Sequence, residues 1–342
     1  MREIIYQDFD LLILRASKER EYTAVVRMSG GGDPQADFSA DDLQTQYQTS
    51  TGAIEDPASR AVKLEIDPEN YSVSFGPPPL METAKAFGSR LFETIFNEKM
   101  YIALRRSIDK ANREGAYLRI RLDLSRVPEL GSLPWEYLYD TKLNYFYAQF
   151  IKSPVVRYLS VDDPIEPLIV DQPLRVLVVV SQPSDAGSLD VEKEWINLKE
   201  AVKELEDNGQ LELFRLESAT IESLQQTLME SFQDRPFHVF HFIGHGAYDK
   251  RGDNGKLLFT DALGKARPIS AERMANELRD SNFRLAVINA CEGARTSVAD
   301  SYTGTAQSLL KKAGIPAVLA MQFEITDTSA IAFARRFYGA IA

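Results

Sequence analysis

Two short segments hold the side chains best suited to chemistry in this chain: Phe242-Ile243-Gly244-His245-Gly246 and Asn289-Ala290-Cys291-Glu292-Gly293. Each follows an apolar run that reads as a buried strand, so an imidazole and a thiol stand where such strands end. Cys291 is the only cysteine in 342 residues and has no disulfide partner within the chain. A thiol attacks a carbonyl carbon as the thiolate. Free cysteine, with a pKa near ~8.5, is mostly protonated at neutral pH. A nearby imidazole can take that proton during attack and return it to the leaving group. The two residues are 46 apart (291 − 245), and neighbouring parallel strands would bring such positions together.

Glycines surround both side chains: Gly244 and Gly246 flank His245, and Gly293 follows Cys291 by two. Glycine allows tight turns and close approach of a substrate backbone. The backbone N–H groups of Gly246 and Cys291 are therefore candidates to support a developing oxyanion, a role typically worth ~10²–10³-fold in rate. The chemistry that fits is peptide hydrolysis by a cysteine nucleophile with a histidine base. A lone cysteine is ordinarily a small buried hydrophobe, and a lone histidine is ordinarily structural. Their joint placement at strand ends, in the order His then Cys, favours the dyad.

His238, His241 and His245 have a spacing that raises the question of zinc. Side chains alternate along a strand, so His241 and His245 share a face and His238 takes the other. That disfavours a three-histidine site, and neither a metal nor another cofactor is expected. The glycine run Ser29-Gly30-Gly31-Gly32 lacks the Gly-Lys-Ser/Thr of a phosphate loop and reads as a mobile loop. With no dinucleotide fingerprint either, a nucleotide-binding α/β protein is the weaker alternative.

The net charge of −11 argues against direct nucleic-acid binding, which needs a basic surface to displace counterions. An acidic surface chiefly serves solubility. Hydrophobic content of 44% and charged content of 26% are ordinary for a globular protein. No apolar stretch approaches the ~18 residues of a membrane span, so no membrane association is expected. The N-terminus lacks the apolar core of a signal peptide, and a single cysteine fits a reducing compartment. The expected location is the cytoplasm.

The elements that must position the dyad are legible as two regions. Residues 1–165 read as a smaller α+β N-terminal domain. Its strands are expected at 10–15, 21–27, 62–66, 119–124 and 155–159, with two helices over 80–114 and a buried aromatic corner around Trp135. Residues 38–60 read as a helix or loose connection. The proline-bearing break Asp162-Asp163-Pro164-Ile165-Glu166-Pro167 marks the boundary. Residues 166–342 then alternate strands and helices. Strands are expected at 174–180, 211–216, 239–243, 284–288 and 317–321. A small hairpin is expected over 255–268. Helices are expected at 192–205, after Thr220, after Ser270, through Leu309 and over 331–338. Repeated βα units imply a mostly parallel sheet with helices on both faces. In such sheets ligands gather at the carboxyl ends of the strands, which is where His245 and Cys291 are expected. Residues 246–268 and 292–304 are the candidates for a loop covering the site.

Three motifs in order, His241-Phe242-Ile243-Gly244-His245-Gly246, Asn289-Ala290-Cys291-Glu292-Gly293 and Gly314-Ile315-Pro316-Ala317-Val318-Leu319-Ala320-Met321-Gln322, resemble the CHAT-domain family. These are bacterial and eukaryotic peptidases related to caspases and separase, in clan CD. Leu133-Pro134-Trp135-Glu136 and Val155-Val156-Arg157-Tyr158-Leu159 resemble the segment that often precedes this peptidase core. The resemblance covers about 130–342 well and 1–129 poorly. It implies a caspase-like α/β fold, with His245 as general base and Cys291 as nucleophile acting on a protein substrate. It also implies activity held off until a partner protein or signal arrives, in an antiphage or cell-death setting, with the N-terminal domain in regulation or recognition. A caspase-type sheet usually adds one more strand after the last helix seen here, which implies a truncated chain or an edge completed another way. Relatives that cut after Arg or Lys often carry Asp two residues before the nucleophile. Here Asn289 occupies that position, so basic selection falls to Glu324, Asp327 or Asp300, or is absent. A catalytically inactive caspase-like interaction module is the alternative reading.

Overall fold

The computed structural model describes residues 4–17, 21–27, 29–41, 43, 65–66, 73–74, 79–131, 133–159, 170, 172–187, 189–231, 235–249, 254–290, 298–320 and 327–342. The chain divides into two compact units, Met1–Ser160 and Val161–Ala342.

The first unit contains β1 (Tyr6–Arg15), β2 (Glu21–Arg27), β3 (Gln35–Ser39), β4 (Glu65–Ile66), β5 (Val73–Ser74), α1 (Pro79–Ile95), α2 (Glu98–Arg113), β6 (Tyr117–Asp123), β7 (Tyr139–Asp140), β8 (Tyr145–Phe146) and β9 (Val155–Tyr158). Five strands form one sheet in the order β3-β2-β1-β6-β9. β2 runs antiparallel to both β1 and β3. β6 runs parallel to β1 and β9. Alternation decides which face is covered: Leu118, Ile120 and Leu122 of β6 are buried with Leu91, Met100 and Leu104 of the two helices. Asn97 ends the α1–α2 corner by accepting a hydrogen bond from the Met100 N–H at 3.1 Å, a side-chain cap for an otherwise unpaired helix donor.

Two sequence segments that stand out in this unit are joined directly. Trp135 is fully buried and its indole N–H donates to the Leu130 carbonyl at 2.8 Å. Next to it, Arg157 of β9 grips both oxygens of Glu136 at 2.8 Å and donates to the Leu133 carbonyl at 3.0 Å. The planar guanidinium matches a carboxylate in two parallel bonds. The glycine run differs from the mobile loop expected: a Cβ on Gly31 would lie 2.1 Å from the Ala103 carbonyl oxygen of α2. Close backbone packing, not freedom, explains that glycine. Most of 38–60 lies outside the described residues.

The second unit contains β10 (Leu174–Val180), α3 (Val191–Asp207), β11 (Leu211–Arg215), α4 (Ile221–Ser231), β12 (Val239–Gly244), β13 (Gly246–Asp249), β14 (Asn254–Thr260), β15 (Ala266–Ser270), α5 (Ala271–Leu278), β16 (Leu285–Ala290), α6 (Val298–Lys311), β17 (Ala317–Ala320) and α7 (Asp327–Ile341). Its main sheet has the order β11-β10-β12-β16-β17, and every pairing in it is parallel. Both faces are covered, which is why β10 and β12 read as nearly continuous apolar runs, broken only by Arg175 and His241. Leu177, Val179, Phe240, Phe242, Ala286 and Ile288 pack on one side with α4, α5 and α6. Val176, Val178, Val239, Ile243 and Val287 pack on the other with α3 and α7. This is the caspase-like α/β layering that the βα alternation implies.

Residues 246–268 are not a loose cover where they are described. β13, β14 and β15 form a three-stranded antiparallel sheet. Leu257, Phe259 and Ile269 alternate along it and are buried in the core beneath α4 and α5, so burying them holds the layer in place. Of 292–304, residues 298–304 belong to α6 and the remainder lies outside the described residues.

Candidate active site

The carboxyl end of the parallel sheet is where chain direction puts the loops that follow β10, β12 and β16. β12 and β16 are direct neighbours, and their register pairs Gly244 with Ala290. His245 and Cys291 are the next residue in each chain. Parallel neighbours lie ~4.8 Å apart. Cys291 itself lies outside the described residues, as does Glu324.

His245 is held from several sides. It is 8% exposed. Its Nε2 lies 2.9 Å from the Gly187 carbonyl oxygen, in the loop between β10 and α3. A carbonyl oxygen only accepts, so Nε2 carries the hydrogen and a neutral ring keeps its lone pair on Nδ1. The His245 carbonyl accepts from the Leu258 N–H of β14 at 2.9 Å. The Ser181 N–H donates to the Ile243 carbonyl at 2.8 Å, and the Ser181 hydroxyl donates to the Leu258 carbonyl at 2.6 Å. Ser181 thus ties the ends of β10, β12 and β14 together beneath the imidazole.

Gly244 has a packing reason of its own. A Cβ there would lie 2.8 Å from the Ser181 carbonyl oxygen and 3.1 Å from the Phe242 ring. A side chain at 244 would push the end of β12 off Ser181 and carry His245 with it. Gly246 opens β13 opposite Leu257.

His241 and His238 have structural partners. His241 is buried, and its Nδ1 lies 2.6 Å from the Tyr338 hydroxyl of α7. Burial alone pushes its pKa down from 6.5 to about 3, so the ring is neutral at ordinary pH. Burial raises the Tyr338 phenol, which therefore stays protonated. His238 accepts from the Arg175 N–H at 3.0 Å through Nδ1. Burial, and then the Arg175 charge, lower its pKa. Among the described residues no group of three or more His, Cys, Asp or Glu side chains could hold a metal ion.

Asn289 faces α3, where its side-chain N–H donates to Glu194 Oε2 at 2.5 Å. Glu194 was not among the acidic residues singled out from the sequence, yet a signal for it exists. The buried stripe of α3 runs through Val191, Leu198, Ala201 and Val202. Glu194 stands three residues after Val191 and four before Leu198, so it lies on that stripe. A carboxylate on a core-facing stripe, in the first turn of a helix that starts at the sheet's carboxyl end, is a candidate site residue. Trp195 is partly buried, packs against the same core as Leu198 and Val202, and lies under the cations of Arg215 and Lys199 at 5.5 and 5.8 Å. Asp327 opens α7 and Asp300 lies in α6, but their side chains are outside the described residues.

Asp190 fixes the first turn of α3 by accepting from the Lys193 N–H at 3.0 Å. Asp190→Ala is expected to cost about 1 kcal/mol, the usual worth of such a cap. It should appear as a lower urea midpoint with an unchanged slope.

No helix among the described residues is long and apolar enough to cross a membrane. In comparison with known proteins, no individual curated relative matches the chain. A family model described as the CHAT domain matches residues 85–342. The match begins within α1, earlier than the segment from about residue 130 that carries the sequence resemblance. It takes in the Glu136–Arg157 corner of the first unit and all of the second. With three quarters of its length inside that match, and with the parallel sheet and helical layers of the caspase-like peptidases, the chain belongs to the CHAT domain family.

Proposed function

We infer that this chain is a cysteine endopeptidase in which Cys291 is the nucleophile and His245 the general base. The observation that supports this most is the Gly244–Ala290 register of two adjacent parallel strands, each chain continuing into one of the two residues. The hydrogen bond from His245 Nε2 to Gly187 supports it further, because it leaves Nδ1 as the basic nitrogen.

In this reading the Cys291 thiol gives its proton to Nδ1, and the sulfur attacks the scissile carbonyl carbon. The carbonyl oxygen becomes an oxyanion, with Gly244 and Gly246 supplying backbone support around it. The imidazolium returns its proton to the leaving amine as the C–N bond breaks, which leaves a thioester. Water then gives a proton to Nδ1 and attacks the thioester, releasing the acid product and restoring the thiol. The substrate is a protein, and no cofactor takes part. The first unit serves regulation or recognition, and a protein partner switches the enzyme on in a cytoplasmic defence or cell-death response.

The chain has one cysteine, so any thiol adduct reports on one position. A peptide-based thiol-reactive electrophile should add once, at Cys291, and Cys291→Ala should abolish both the adduct and cleavage of a protein substrate library. Cleavage that survives Cys291→Ala would refute the assignment. Absence of labelling in every activated state would favour an inactive interaction module.

A further inference from the structure

The strongest unassigned feature is the outward face of α2 in the first unit. The chain carries a net charge of −11, yet Lys99, Ile102, Arg106, Lys110 and Arg113 of this helix are all exposed. At about 100° per residue these five fall within a sector of about 80°, so they form one stripe along the helix. From Lys99 to Arg113 the stripe is about 21 Å long. Ile102 is 42% exposed and stands between Lys99 and Arg106 in it. Among the described residues, no ion pair or hydrogen bond engages the side chains of the four cations.

We propose that this stripe docks an acidic segment of a protein partner, with Ile102 as the apolar contact within it. The inference gives the first unit a surface for the recognition role proposed above, and it needs neither His245 nor Cys291. Three observations carry it. The first is where the cations stand. The helix dipole favours cations in the last turn, where Lys110 and Arg113 lie. It disfavours Lys99 in the first turn and is indifferent to Arg106 in the middle. The second is repulsion. Arg106 and Lys110 are four residues apart, and Lys110 and Arg113 three apart, spacings at which like charges destabilise a helix. An acidic partner relieves that repulsion. The third is what lies beside the stripe. A Cβ on Gly31 would lie 2.1 Å from the Ala103 carbonyl oxygen and 2.9 Å from the Ser107 hydroxyl, and one on Gly30 would lie 2.7 Å from the Lys110 stem. The glycine loop therefore lies flat on the flank of α2 and adds no side chain at 30–32 to cover the stripe.

The apolar residue favours a protein over other anions. An acidic peptide can cover Ile102 with an apolar side chain while its carboxylates meet the cations. A phosphate backbone offers no such contact, and one isoleucine is too little apolar area to hold a helix in a bilayer surface. A long polyanion also meets the field of the whole acidic chain. A short segment meets mainly the stripe, because charges beyond a Debye length of about 8 Å are screened.

The test selects binders from a displayed library of random peptides of about 16 residues, on the full chain and in parallel on its Lys99→Glu/Arg106→Glu variant. Sequences recovered with the wild type and lost with the variant should be acidic and carry at least one large apolar residue. A synthetic copy of the leading sequence should bind about tenfold more weakly at 0.5 M than at 0.1 M salt. Ile102→Ser should weaken it by about fivefold or more. Lys99→Gln/Arg106→Gln, which adds no negative charge, should weaken it by about tenfold and repeats the comparison should the double reversal lower the unfolding midpoint. Recovery of the same sequences with wild type and variant, or a lost set that is not acidic, overturns the proposal. Tighter binding of duplex DNA or phosphatidylserine vesicles than of any selected peptide, through the same residues, overturns it too. Self-association of the wild type that the double reversal abolishes makes a second copy the occupant and also overturns it. Each of those results leaves the peptidase reading standing.

Discussion

His245→Ala is expected to slow peptide cleavage by about 10²–10⁴-fold, the usual worth of a positioned general base. If the proposed dyad holds, the same variant should slow Cys291 alkylation near neutral pH, because the thiol would lose the group that takes its proton. A stability measurement separates this proposed role from a merely packing one. Among the described residues the ring makes a single side-chain hydrogen bond, to the Gly187 carbonyl, while the local backbone is held by Ser181 and Leu258. Removing the imidazole therefore leaves the strand ends tied. Unfolding midpoints of wild type and variant should differ little compared with the loss of rate. His245→Gln offers a second check: its side-chain amide can still donate to Gly187 but cannot accept a thiol proton at neutral pH. It should be as slow as the alanine variant. Cleavage by either variant within about tenfold of wild type would remove His245 from the chemistry.

Acid should destabilise the second unit well before ordinary carboxylates titrate, and His241 should be the main cause. Its folded pKa is pushed down to about 3 from 6.5 by burial. Between those values the unfolded chain carries a proton that the folded chain does not, so stability rises with pH across that window. The contribution is complete above pH 6.5, falls as the pH drops, and stops falling near pH 3. At about 1.4 kcal/mol per pH unit, the full loss is about 5 kcal/mol and the loss from pH 6.5 to 5 is about 2 kcal/mol. Of the titratable groups around His241, Tyr338 on α7 stays protonated, and Glu194 lines the same small cavity. His238 is lowered in the same direction and adds to the trend. Urea unfolding of the full chain at pH 7.5, 6.5, 5.5 and 5 measures the slope. His241→Phe paired with Tyr338→Phe removes the titrating ring without leaving the phenol unpartnered. That double variant should lose most of the slope between pH 5 and 6.5. An unchanged slope would show that His241 is not the group responsible.

How much of this was legible beforehand differs by element. β10, β12 and β16 are legible directly, because strands covered on both faces are near-continuous apolar runs, here interrupted only by Arg175, His241 and Asn289. The helix caps at Thr220 and Ser270 were also legible, and both hydroxyls accept a first-turn N–H, from Ser223 at 3.1 Å and Arg273 at 3.2 Å. The apolar stripe of α3 is legible too: Leu198 and Val202 are buried, and Trp195 and Leu205 pack partly buried against the same core. The hairpin expected over 255–268 is β14 with β15, whereas β13 at 246–249 has too little apolar alternation to be legible, and only its pairing with β14 makes it a strand.

By itself the sequence determined the residue types available for chemistry, the βα alternation, and the ends of the strands that carry His245 and Asn289. Those follow from local periodicity and composition, which act over a few residues. Only the tertiary structure decided the strand order β11-β10-β12-β16-β17, the Gly187 partner that fixes the His245 tautomer, and the meeting of Glu194 with Asn289 across 95 positions of chain. Those depend on which parallel strands lie side by side, and every crossover in a sheet covered on both faces looks alike to its own residues.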